Sequence, residues 1–172
     1  LWAVHPKHAE IEGVKCFPSI ADLPGVPDAA YVAVNAEAAM DIVGQLSAIG
    51  CGGAVVYASG FAGVGEEGTK RQRQLVERAG TMPIIGPNCY GVLNFIDRAV
   101  LWPDQHGSKA VGKGVAVITQ SGNIGLDITM QRRGLPLAFM FTLGNQATVH
   151  GAEVRDAVVT NPRLTAHMDR TE

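Results

Sequence analysis

An α/β fold follows from three features of this 172-residue chain. Short apolar runs alternate with longer segments of helical period, and the connections between runs are too long for hairpins, which favours a parallel, doubly wound sheet. Several apolar runs end abruptly in turns of Gly, Pro and small polar residues. Hydrophobic residues make up 47% of the chain and aromatics only 6%, with Gly abundant. That mixture suits helices packed closely on a sheet.

The elements follow in order. Leu1 to Val4 reads as a strand ended by His5-Pro6-Lys7, because Pro6 restricts itself and its predecessor. Residues 17–28 are turn-rich, with Pro18, Pro24, Gly25 and Pro27. Ala29 to Val34 is a buried strand. Ala36 to Ile49 is a helix whose apolar stripe is Ala39, Ile42, Val43, Leu46 and Ile49, closed by Gly50 and Gly52. Ala54 to Tyr57 is a strand ending in Ala58-Ser59-Gly60-Phe61. Glu66 to Ala79 is a helix with two acids in its first turn, where the dipole favours them, and Gly80 stops it. Pro83 to Ile85 is a strand that runs into Gly86-Pro87-Asn88-Cys89-Tyr90-Gly91.

Residues 97–113 break the rhythm with Pro103, Gly107 and Gly112 and read as an interdomain crossover. Gly114 to Thr119 is a strand, Asn123 to Arg133 a helix, Leu137 to Phe141 a strand and Ala152 to Thr160 a helix. The expected division is therefore 1–96, crossover 97–113, and a second α/β unit over 114–172. Leu164 to Glu172 should be a strand by position but is polar. The chain opens on Leu1 without Met, in what reads as mid-strand, so a fragment cut at both ends is expected.

Composition excludes little and favours a small-molecule protein. A net charge of −2 offers no argument for nucleic acid or an anionic membrane surface. No apolar run approaches the ~20 residues that span a bilayer. Three cysteines without pairing or metal spacing point to a reducing cytoplasm. The basic run Lys70-Arg71-Gln72-Arg73 reads as a solvated helix face.

Two strand ends carry candidate chemistry. Asn88 and Cys89 are presented at a strand terminus, the usual ligand position in an open α/β sheet. Cys89 is either a packing or ligand-lining thiol, or a nucleophile if a base lowers its pKa; no local motif ties a His to it. Ser121-Gly122-Asn123 joins a strand to a helix. Ser121 either caps that helix or opens an anion site on its free amides, and spacing leaves both open. His150, on a loop before a helix, reads as exposed. The glycine-rich Gly60 to Gly65 lacks the Lys-Ser/Thr of a Walker loop.

Ordered motifs extend this reading. Val4-His5-Pro6-Lys7, Gly13-Val14-Lys15-Cys16-Phe17-Pro18-Ser19, Ala33-Val34-Asn35-Ala36-Glu37-Ala38, Ala58-Ser59-Gly60-Phe61-Ala62, Gly86-Pro87-Asn88-Cys89-Tyr90-Gly91, Gln120-Ser121-Gly122 and Leu143-Gly144-Asn145-Gln146 occur in sequence. Together they resemble the NDP-forming acyl-CoA synthetases, relatives of the succinyl-CoA synthetase α subunit. Leu101-Trp102-Pro103-Asp104-Gln105-His106-Gly107 resembles the feruloyl-CoA synthetase-like branch.

The resemblance implies a Rossmann-like CoA-binding domain lacking its first strand and Gly-rich loop, followed by the first part of a flavodoxin-like ligase domain. It implies an acid–CoA ligase working through an acyl phosphate and a phosphohistidine, with NTP and Mg²⁺ bound by an ATP-grasp region absent from this chain. The phosphorylated His also lies beyond it, so the chain alone is expected to be inactive. Partners implied are a carboxylic acid, CoA and an ATP-grasp domain or subunit, in an oligomer. Residue by residue, Lys7 would approach a CoA phosphate. Val34 and Asn35 would lie beside the adenine or its ribose. Ala58, Ser59 and Gly60 would face the pantetheine or pyrophosphate. Asn88 and Cys89 would line the path of the thiol. Ser121, Gly122 and Asn123 would bind phosphate, with Gly144 and Asn145 bordering the same cavity. Asn35 stands where the family usually has Pro, which predicts a looser strand end. Two rivals remain: a non-catalytic CoA-binding regulatory module, as in a fused acetyltransferase, and a nicotinamide-dependent oxidoreductase.

Overall fold

A computed structural model describes residues 1–161. Expectations for 162–172, including a strand position over 164–172, lie outside the described residues. The first strands, β1 (Ala3–Val4), β2 (Glu10–Ile11) and β3 (Val14–Phe17), form a small sheet of order β1-β3-β2, with β2 antiparallel to β3. A 3₁₀ turn at Ile20–Asp22 leads into the parallel unit, β4 (Ala30–Val32), α1 (Ala36–Ala48), β5 (Ala54–Val56), α2 (Gly65–Ala79) and β6 (Ile84–Ile85). Its strand order is β4-β5-β6. The third sheet has the order β8-β7-β10-β9. It is built from β7 (Val92–Asn94), β8 (Ala99–Leu101), β9 (Val115–Thr119) and β10 (Leu137–Thr142), with α3 (Gly122–Met130) and α4 (Gly151–Thr160).

The α/β class stands, but the wholly parallel sheet does not. β10 is parallel to β9 and antiparallel to β7, and β7 and β8 form a hairpin. That hairpin puts regular structure inside 97–113 and joins residues 92–101 to the third sheet. Strands of two to four residues are too short to show a period, which is why the hairpins over 10–17 and 92–101 escape a reading based on alternation. The Asn94 side chain closes the second hairpin, accepting from the Asp97 amide at 2.9 Å. The helix expected to reach Arg133 ends at Met130, because Gln131 is already extended.

α1 buries Ala39, Met40, Val43 and Leu46 against β4–β6, with Ile42 and Ile49 partly covered. α2 buries Leu75 and Ala79 in the same core, beside Phe61. Arg78 of α2 also pairs with Asp41 of α1 at the surface. Each fully buried large side chain contributes roughly 1.5–3 kcal/mol. A second cluster, Leu93, Phe95, Trp102, Leu137 and Met140, holds the third sheet together. No helix among the described residues is long and apolar enough to cross a membrane.

The end of β10 and the segment after it stitch the third sheet to the turn after β6. Thr142 Oγ1 accepts from the Gly91 amide at 2.7 Å, and the Thr142 amide donates to Gly91 O at 2.9 Å. Asn145 N donates to Pro87 O (2.8 Å) and Ala147 N to Gly86 O (2.9 Å). Further along, Thr148 Oγ1 accepts from Ile84 N at 2.7 Å. These bonds fix the end of β6 against the end of β10, so the loops after both sheets open on the same side.

Candidate functional site

The loops following β4, β5, β6 and β9 converge on one cleft of about 730 Å³. This is within the ~300–1,000 Å³ range of small-molecule sites. Ala33, Val34, Asn35 and Ala36 form one wall. Tyr57, Ala58 and Ser59 form the next, and Asn88, Cys89 and Tyr90 face Gln120, Ser121, Gly122 and Asn123. The Cys89 tip and the Ser121 tip, about 30 residues apart in sequence, share this cavity.

The turn after β6 is held by close packing. Gly86 has φ +102°, and a Cβ there would stand 2.5 Å from Val56 O, so side chains are excluded on both counts. Asn88 follows in the left-handed region (φ +60°), which Asn tolerates better than most residues, and its amide donates to Ala58 O at 2.9 Å. Cys89 is 3% exposed, and its Sγ donates to Val56 O and Ile85 O, both at 3.6 Å. Burial pushes its thiol up to about 12. At neutral pH this sulfur is a neutral packing group, so the lining reading wins over the nucleophilic one.

The Ser121 tip is both a cap and an open helix end. Ser121 Oγ accepts from the Ile124 amide at 3.4 Å. Among the described residues, no acceptor takes the Gly122 or Asn123 amide. Two donors without a protein acceptor and the positive end of α3 thus lie at residues that line the cleft, a setting suited to an oxyanion.

Tyr90 joins the two tips. A Cβ at Gly122 would lie 2.3 Å from Tyr90 Cδ2, so the ring rests directly on that glycine. Its centroid is 5.9 Å from Tyr57 and 5.3 Å from Trp102. Tyr31 donates its hydroxyl to Tyr90 O at 3.2 Å. Burial, reinforced by the Asp104 carboxylate and the Tyr57 ring and by a hydrogen bond to Asp104, holds the Tyr90 phenol above its ordinary pKa. The Tyr31 phenol is raised too, again chiefly by burial.

Asn35 does not loosen the end of β4. Its side chain accepts from the Ala38 amide at 2.9 Å and caps α1, work that a Pro could not do. Lys7 is exposed on the turn after β1 and is not among the lining residues. Gly60 also falls outside the lining, directly behind Ser59. Gly144 and Asn145 sit one layer back: Gly144 O accepts from Gln120 Nε2 at 3.3 Å, and Asn145 Nδ2 donates to Ala62 O at 2.9 Å and to Gln72 Oε1 at 3.1 Å. His150 is an exposed residue at the start of α4, its amide donating to Glu153 at 2.7 Å. No group of three or more His, Cys, Asp or Glu side chains among the described residues converges to hold a metal.

Residues 1–94, more than half of the chain, match the family described as CoA binding domain. The chain belongs to that family. It is similar to a trans-feruloyl-CoA synthase from an unknown prokaryotic organism, with 35% identity over 154 residues, covering 86% of this chain and 22% of the relative. It is also similar to the ADP-forming acetate–CoA ligase I of Archaeoglobus fulgidus, 34% identical over 152 residues with the same coverage of each chain. Among solved structures, an apo dinucleotide-forming acetyl-coenzyme A synthetase 1 of Ca. Korarchaeum cryptofilum superposes with a TM-score of 0.82 at 26% identity, covering 95% of this chain and 36% of that one. A crystal structure from Pyrococcus horikoshii OT3 superposes over 99% of this chain and 40% of its own, with a TM-score of 0.86 at 29% identity. The chain thus spans about a fifth of the length of the curated relatives just named. The resemblance read from the motifs is borne out.

The CoA-binding fold brings into the lining residues to which sequence reading gave no role. Ala33, Ala36, Tyr90 and Gln120 stand in the motifs only as neighbours of the candidate residues, and Tyr57 stands in none. Tyr57 and Tyr90 each follow a strand or its turn directly, a position that could have marked them.

Proposed function

We propose that this chain is the CoA-binding part of an NDP-forming acid–CoA ligase, which joins a carboxylic acid to CoA with release of NDP and phosphate. One observation carries the reading: a thiol-lined turn and an open helix N-terminus face each other across a single cleft. An acyl phosphate attacked by the CoA thiol needs both, because the sulfur–carbon bond forms as the carbon–oxygen bond to phosphate breaks. In this reading the Gly122 and Asn123 amides hold the departing phosphate, where fixed donors stabilise developing charge. Asn88, Cys89 and Ser59 form the walls along which the pantetheine arm is aligned. Positioning, rather than any nucleophile of this chain, is its contribution. Val34 and Asn35, at the far wall, bound the adenosine end.

The parent reaction further requires NTP, Mg²⁺, a phosphorylated His and an ATP-grasp partner, none of which the residues above supply. A cytoplasmic location and an oligomeric whole belong to the same proposal. Three of the proteins named above are called a synthase, a ligase and a synthetase, which favours this reading over a regulatory module. Calorimetric titration of the protein with CoA and with NADH tests it. CoA binding with weaker or no NADH binding is expected; tighter NADH binding would overturn the proposal in favour of an oxidoreductase.

A further inference from the structure

Among the described residues, no carboxylate, lysine or arginine lines the cleft: it is built from small, amide, hydroxyl, thiol and phenol groups. A nucleotide-type ligand such as CoA carries a diphosphate. Moving that charge out of water beside uncharged walls is costly without a countercharge. The free amides at the α3 end offset part of that cost, and a cation close to the wall would offset more.

Arg71 on α2 lies close to the wall formed by Ser59 and Ala36. Its Nη1 donates to Gly60 O at 3.2 Å, and Gly60 directly follows Ser59, a lining residue. A Cβ at Gly60 would lie 3.7 Å from the Cβ of Ala36, also a lining residue, and 3.9 Å from Arg71 Nη1. The guanidinium and the cleft wall thus meet across a residue with no side chain to separate them. Arg71 is half-buried, whereas its neighbours Lys70 and Arg73 are exposed. Among the described residues no carboxylate pairs with it; the ion pairs are Arg78–Asp41 and Arg155–Asp156. One N–H is anchored on Gly60, and the rest of the planar fork is left to address phosphate oxygens.

We propose that Arg71, reaching over Gly60, is the countercharge for the diphosphate of the ligand in this cleft. The inference rests on the CoA reading and replaces the expectation that the basic run 70–73 is only a solvated face. Calorimetry with CoA and 3′-dephospho-CoA tests it on wild type, Arg71→Gln, Arg71→Lys and Lys70→Gln. Arg71→Gln is expected to weaken both ligands equally, by about tenfold, as for a lost charge-assisted hydrogen bond. Its affinity should also fall less steeply with ionic strength than that of wild type. Arg71→Lys should recover part of the loss, and Lys70→Gln should bind as wild type. An unchanged melting temperature without ligand shows that the fold is intact. Wild-type affinity in Arg71→Gln overturns the inference while leaving the CoA reading standing, as does an equal loss in Lys70→Gln. A loss confined to CoA would move the cation to the 3′-phosphate and overturn the diphosphate assignment. A wild type that binds neither ligand overturns both.

Discussion

Adding a single methyl group at Gly122 should damage the contact that holds the two tips of the cleft together. The new Cβ would fall 2.3 Å from Tyr90 Cδ2, 3.0 Å from Cε2 and 3.2 Å from Cγ. Carbon–carbon contact is comfortable near ~3.5 Å, so ring or helix must retreat by about 1 Å. The ring has little room to do so. Tyr57 and Trp102 flank it, and the Tyr31 hydroxyl holds its own backbone carbonyl. Overpacking of this kind costs about 1–3 kcal/mol. Ala returns at most ~1 kcal/mol of helix propensity, and less in a first turn. The net loss should be about 1–2 kcal/mol, or roughly 2–8 °C of melting temperature for a chain this size. Thermal unfolding by circular dichroism reads it directly. The double variant Gly122→Ala/Tyr90→Ala should lose less than the sum of its two parts, since removing the ring relieves the clash. A Gly122→Ala protein that melts with the wild type, or strictly additive losses in the pair, would refute the packing argument.

Two further outcomes follow from the same tips. Cys89, pushed up to about 12 by burial from an ordinary 9.0, keeps its proton in the folded state where the unfolded chain loses it. Its contribution to stability is therefore complete below pH 9 and is lost as pH rises from 9 towards about 12, by at most ~1.4 kcal/mol per pH unit. Urea unfolding of wild type and Cys89→Ser across that window should show the steeper decline in wild type; parallel curves would count against a buried neutral thiol. Ser121→Ala removes the cap on the Ile124 amide; because that bond is long at 3.4 Å, the loss should sit near the low end of capping energies, about 0.5 kcal/mol by denaturant titration. A loss several times larger would mean that Ser121 holds more than its helix.

Much of the framework could be read from local pattern. The stripe over 36–49 became α1, and the acidic start and glycine stop of 66–79 became α2, because amphipathic period and capping chemistry are carried by neighbouring residues. Strands at 54–56, 115–119 and 137–142 were equally plain as apolar runs between turn residues. The cleft was partly visible: a strand end followed by Gly, Pro, Asn or Ser marked 58–59, 88–89 and 121–123 in advance. Motif order alone led to the family.

Contacts between distant segments carried no such mark. Whether Ser121 only caps or also leaves amides open depends on what stands opposite, and that is Tyr90, packed on Trp102 just past a hairpin too short to show a period. Asn145 read as a cavity residue but is occupied bonding Ala62 and Gln72, while Arg71, lost in a basic run, is turned onto Gly60, the residue after the lining Ser59. Periodicity and capping arise within a few residues, so the chain announces them; a side chain's partner is chosen by the packing of whole sheets, and that choice exists only once the chain has folded.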